Sequence, residues 1–147
     1  MKKPFLLSAA LGIVLLCGCG APDASGVSDY GSALEKAQQI SVLPPGAAEA
    51  ACAITDPEEI GRFVQALEID EWTLTSLPEG ADEIGSFGLS QEKTVTLDQT
   101  APDEALYDVG TLTLYDGSCV GLEIAGLEMA FEISETAADY LNGYFEP

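Results

Sequence analysis

Carboxylates are the only abundant reactive groups in this 147-residue chain: it has 25 Asp and Glu, five Lys and Arg, four Cys and no His. The absence of histidine removes Ser-His-Asp triads, Cys-His pairs and every His-ligated metal centre. Acid–base work would fall to carboxylate pairs, which flank the scissile bond in glycoside hydrolases. Acids are so frequent here that many spacings arise by chance, and a chain of this size supplies a deep groove poorly. A serine nucleophile would need Lys36 or Lys93 as its base, and neither sits beside a serine in a recognisable motif.

Calcium takes six to eight oxygens, and no D-x-D-x-D-G run is present. The acids cluster instead as Glu68, Asp70 and Glu71, as Asp82 and Glu83, and as Asp103 and Glu104. These read first as solvated loops or helix caps, and a metal site assembled from loops that meet in space stays open. No cofactor motif is present. Trp72 and the tyrosines, at alternating or helical spacings, read as core rather than as a sugar-stacking platform.

The N-terminus carries a different kind of signal. Lys2 and Lys3 precede a short apolar stretch from Pro4 to Leu16, and small residues follow. These are the parts of a secretory signal, and the stretch is too short to span a bilayer. Leu16-Cys17-Gly18-Cys19 resembles the lipobox of bacterial lipoproteins. The resemblance covers residues 1–20 and implies location alone: a signal peptide over 1–18, lipid on Cys19, and attachment to the outer side of the cell membrane, or to an outer membrane in a two-membrane host. Two acyl chains suffice for stable anchoring.

Removal of residues 1–18 would leave 129 residues, with Lys36, Arg62 and Lys93 against all 25 acids, a side-chain charge of −22. Such a chain disfavours nucleic acid, whose binding rests on Lys and Arg at phosphates. An anionic membrane would repel it, so lipid would have to hold it there. In an extracytoplasmic protein the two remaining cysteines, Cys52 and Cys119, suggest one disulfide.

The elements that would position any site follow from pattern. Residues 19–33 are rich in Gly, Ala, Ser, Pro and Asp and read as a flexible tether. Residues 34–147 then form one domain. Strands are expected over Gln38–Leu43 and Ala50–Ile54. Asp56-Pro57-Glu58-Glu59 is a helix start, with Ile60, Phe63, Val64 and Leu67 as its apolar stripe. A strand is expected from Trp72 to Leu77, weaker ones near Ile84–Leu89 and Lys93–Leu97, and a loop over 98–108.

From Val109 to Ile133 a meander is expected. A three-residue loop Tyr115-Asp116-Gly117 aligns Leu112, Leu114, Val120, Leu122 and Ile124 on one face. Thr111, Thr113, Cys119, Gly121 and Glu123 share the other, wet face, together with Thr73, Thr75, Thr94 and Thr96. A four-residue loop near Ala125-Gly126 spares Ala125 a positive φ. Ser134 caps a last helix bearing Ala137, Tyr140, Leu141, Tyr144 and Phe145. The fold class is α+β, an antiparallel sheet with two amphipathic helices on its apolar face. This placement strains the disulfide, because Cys119 lies on the wet face while Cys52 shares parity with Ile54; the pairing stays open.

The resulting functional expectation is a lipid-anchored, non-enzymatic accessory or binding domain, whose partner is a protein, an envelope polymer or a cation. The alternatives are a small carboxylate hydrolase acting on glycans and a calcium-stabilised binding module.

Overall fold

The computed structural model describes residues 31–92 and 105–147. Its frame is a seven-stranded antiparallel sheet in the order β2-β1-β4-β5-β6-β7-β3. The strands are β1 (Gln39–Leu43), β2 (Cys52–Ile54), β3 (Thr73–Thr75), β4 (Glu83–Glu92), β5 (Leu106–Tyr115), β6 (Cys119–Ile124) and β7 (Leu127–Glu132). Helical residues 31–35 (α1), α2 (Pro57–Ala66), a short 3-10 helix (Ile69–Glu71) and α3 (Glu135–Asn142) complete the described elements. The α+β expectation holds.

Both longer helices begin where their caps predict. The Asp56 carboxylate accepts from the Glu58 and Glu59 amides at 2.9 and 3.1 Å, with Pro57 in the first turn. Ser134 Oγ accepts from the Ala137 amide at 3.1 Å. These bonds satisfy amides that have no partner inside the helix. At the far end of α2 the Trp72 indole N–H donates to the Leu67 carbonyl at 2.7 Å, satisfying one of the helix's last acceptors.

The helices cover one face of the sheet. Ile60, Phe63 and Leu67 from α2, and Ala137 and Leu141 from α3, join Ile40, Val42, Phe87, Leu89, Leu112, Leu114, Val120, Leu122 and Phe131 in one buried core. Phe63 lies 5.1 Å from Phe87 between ring centroids, and Trp72 lies 5.2 Å from Phe131. Leu74 pairs with Phe131 on this face, yet is 67% exposed, because β3 is a three-residue edge strand.

Several expectations change. Residues 31–33, read as the end of the tether, are helical, and Leu34 is fully buried in the core. The small residues hid a helix that tertiary packing stabilises. The strand expected from Trp72 to Leu77 is confined to Thr73–Thr75. Residues 106–108, read as loop, belong to β5; the rest of that loop, and the Lys93–Leu97 strand with Thr94 and Thr96, lie outside the described residues.

The β5–β6 loop has three residues, but they are Asp116, Gly117 and Ser118, because Tyr115 pairs with Cys119. Sliding the loop by one residue at each strand end keeps parity, so the two faces carry the residues expected. Gly117 is left-handed at φ 75°, and Ser118 joins it at φ 59°. Ile124 pairs with Leu127, so the β6–β7 turn is the two-residue Ala125-Gly126, with Ala125 at φ 53° and Gly126 at φ 79°. Two consecutive left-handed residues match the twist of paired strands, and that match outweighs the cost at alanine.

Candidate functional site

A groove of about 920 Å³ runs along the flank of α2. Pro57, Ile60, Gly61, Val64 and Gln65 fall on one stripe of that helix and form one wall, which Glu68 extends beyond the C-cap. Gly31, Ser32 and Glu35, followed by Ala37 and Gln38, form the other; Ile69, Asp70, Thr55 and Glu92 close the ends. Ala37 and Ile60 are buried beneath it, and Val64 and Ile69 are half-buried. Among the described residues, four carboxylates line it, from Glu35, Glu68, Asp70 and Glu92, and no lysine or arginine does.

Two of these acids are held in place. Glu68 stands in the left-handed region at φ 49°, ψ 48°, directly after the C-cap of α2, where glycine is usual. Its carboxylate accepts a hydrogen bond from the Ser134 hydroxyl, which itself caps α3. One side chain thus ties the end of one helix to the start of the next, compensating the backbone strain. Glu92 is fixed through its amide, which donates to the Gln38 side-chain carbonyl.

A second, open pocket of about 460 Å³ lies on the sheet at the β5 bulge, lined by Asp108, Val109, Gly110, Thr111, Glu123, Ala125 and Gly126. Asp108 and Glu123 bring two carboxylates to this pocket. The Asp108 carboxylate accepts from the Ser90 hydroxyl at 3.0 Å, and Ser90 is buried, so one member of the pair is engaged in holding β4 to β5. Gly110 is required here, since a Cβ would stand 2.5 Å from the Glu123 carbonyl oxygen.

The uncovered face is mostly small or polar: Ser41, Ser86, Gly88, Thr111, Thr113, Gly121 and Ala130 share it by register, with Glu123, Glu128 and Glu132 beside them. Tyr115 lies over Gly121, where a Cβ would be 3.2 Å from its ring. Burial first, then the charges of Glu83 and Glu128, raise the Tyr115 phenol above its ordinary pKa.

Cys119 departs from expectation. It sits on the face read as wet but is buried. Its Sγ contacts the Gly117 carbonyl at 3.6 Å. Burial, then Glu132 and Asp116, raise its thiol pKa, which disfavours the reactive thiolate. Cys52 is exposed, and both cysteines are free. Strands β1, β4 and β5 stand between β2 and β6, a separation of about 19 Å at about 4.8 Å per strand. A bridge needs Cα atoms within about 7 Å. The pairing left open by the sequence is absent here: count and compartment suggested two partners that strand order separates.

Of the acidic clusters, Glu68 and Asp70 line the groove. Asp82 and Asp116 exchange bonds, the Asp82 amide donating to the Asp116 carboxylate and the Asp116 amide to the Asp82 carbonyl. Asp103 and Glu104 lie outside the described residues, as do Lys93 and Cys19. Among the described residues, no three acids or cysteines converge to hold a metal ion, and no helix is long and apolar enough to cross a membrane. Sequence reading missed Glu35, Gly61, Gln65 and Glu92 as groove residues. Only the Leu34 and Ala37 spacing hinted at α1, the element that makes the second wall.

No family model matches the sequence, and no curated protein does. Among solved structures, the chain is similar to a thioesterase-like protein from Clostridium sporogenes. The TM-score is 0.45 and the identity 16%, over 74% of this chain and 94% of that one. A likeness at that level assigns no activity.

Proposed function

We propose that this chain is a lipid-anchored, extracytoplasmic binding domain of a bacterial cell envelope, attached through Cys19 and not an enzyme. The observation that carries the proposal is the sequence Leu16-Cys17-Gly18-Cys19 behind a short apolar run with two leading lysines. The acidity supports a lipid anchor, because charge alone would drive the domain from an anionic surface. The groove beside α2 supports binding as the role. It offers an apolar floor and a carboxylate rim.

Membrane fractionation of the Cys19→Ala variant in a bacterial host tests the anchor. The wild-type chain should sediment with membranes, and the variant should move to the soluble extracytoplasmic fraction as a folded domain. A variant that still sediments would sink the proposal.

A further inference from the structure

We propose that the groove along α2 binds an extended, basic peptide segment carrying apolar side chains, whose backbone passes over Gly61. This rests on the reading of the chain as a binding domain, and not on the lipid anchor.

Three observations lead there. The groove, at about 920 Å³, is of the size that accommodates ligands, with half-buried Val64 and Ile69 available to apolar groups. Among the described residues, Glu35, Glu68, Asp70 and Glu92 line it with no basic side chain beside them. Glu35 belongs to α1, Glu68 and Asp70 follow α2, and Glu92 ends β4, so the charges come from separate elements. Separated negative charges complement a ligand whose positive charges are separated too. A second copy of this acidic chain would be repelled.

The third observation is Gly61. It lies in the interior of α2, on the groove wall, where a Cβ would meet nothing within 4 Å. Packing therefore does not require glycine, and glycine weakens a helix relative to alanine. What it provides is a low wall, over which another backbone can approach closely.

The test uses the full-length chain in non-ionic detergent and a fluorescent decapeptide alternating lysine and valine, with empty micelles as the blank. Companion peptides alternate lysine with serine, and glutamate with valine. The lysine–valine peptide should bind about tenfold more tightly than either. The combined Glu35→Gln, Asp70→Asn, Glu92→Gln variant should weaken it about tenfold. The equal-charge control on the open sheet face, Glu123→Gln, Glu128→Gln, Glu132→Gln, should leave affinity within about threefold. Gly61→Ala should raise the melting temperature by a few degrees, while Gly61→Phe should weaken binding as strongly as the groove triple. No binding of the lysine–valine peptide would overturn the proposal. So would equal loss in both triples, which would mean diffuse attraction, or equal affinity for the lysine–serine peptide. Fractionation of Cys19→Ala reads the anchor separately, so either claim can fail alone.

Discussion

Gly85 and Gly88 lie three residues apart in β4 and face opposite sides of the sheet. A Cβ on Gly85 would stand 2.2 Å from the Phe145 ring, whereas one on Gly88 would meet Leu43 and Ser41 at ordinary contact distances of 3.6 and 3.7 Å. On the helix side, glycine makes room for an aromatic ring that also packs 5.2 Å from Phe87. On the other side no helix among the described residues covers the sheet, and a small residue is one choice among several. The comparison separates the face that holds the fold together from surfaces free to take on other roles. The groove belongs to the second kind, although it lies on the outside of a helix.

The most severe break in this contrast is Phe63→Ala. Phe63 is fully buried against Phe87, Tyr140 and Tyr144, so its loss should cost about 3–5 kcal/mol by urea denaturation. Gly85→Ala follows, at about 1–3 kcal/mol, because the Phe145 ring must move out of the added methyl. Gly88→Ala in the same strand should stay within about 0.5 kcal/mol. Equal costs for the two glycines would erase the distinction between the faces.

Alkaline pH probes the covered face from another direction. Burial first, then its hydrogen bond with Tyr140, push the Tyr144 phenol well above its ordinary value. The neutral phenol is the form the fold favours. Its contribution is full below the unfolded pKa of about 10 and declines above it, as the unfolded chain loses the proton first. Stability should therefore fall above about pH 10, and Tyr144→Phe should flatten that fall. A small gain lies at a turn: Ala125→Asn, at φ 53°, should raise stability by about 0.5–1 kcal/mol, since asparagine tolerates the left-handed region.

Local chemistry was legible in the sequence wherever one short segment decided the outcome. Asp56 and Ser134 cap their helices through their own side chains, and alternation along Leu112–Ile124 sorted the two faces of the hairpin. Features decided by distant groups were not. The Asp116 carboxylate meets the Asp82 amide, and Tyr115 covers Gly121; both accompany the shifted loop. Helix α1 packs through Leu34 into a core built from later strands. The groove needs Glu35, Gly61 and Glu92 together, three positions that no spacing rule connects. Cys52 and Cys119 suggested a bond because pairing by count ignores strand order.

Anchoring at Cys19 gives the most direct single test. The intact mass of the chain extracted from host membranes should correspond to Cys19–Pro147 plus covalent lipid, with Lys2 and Lys3 gone. A mass that retains residues 1–18, or a chain cut elsewhere and free of lipid, would contradict the proposed function.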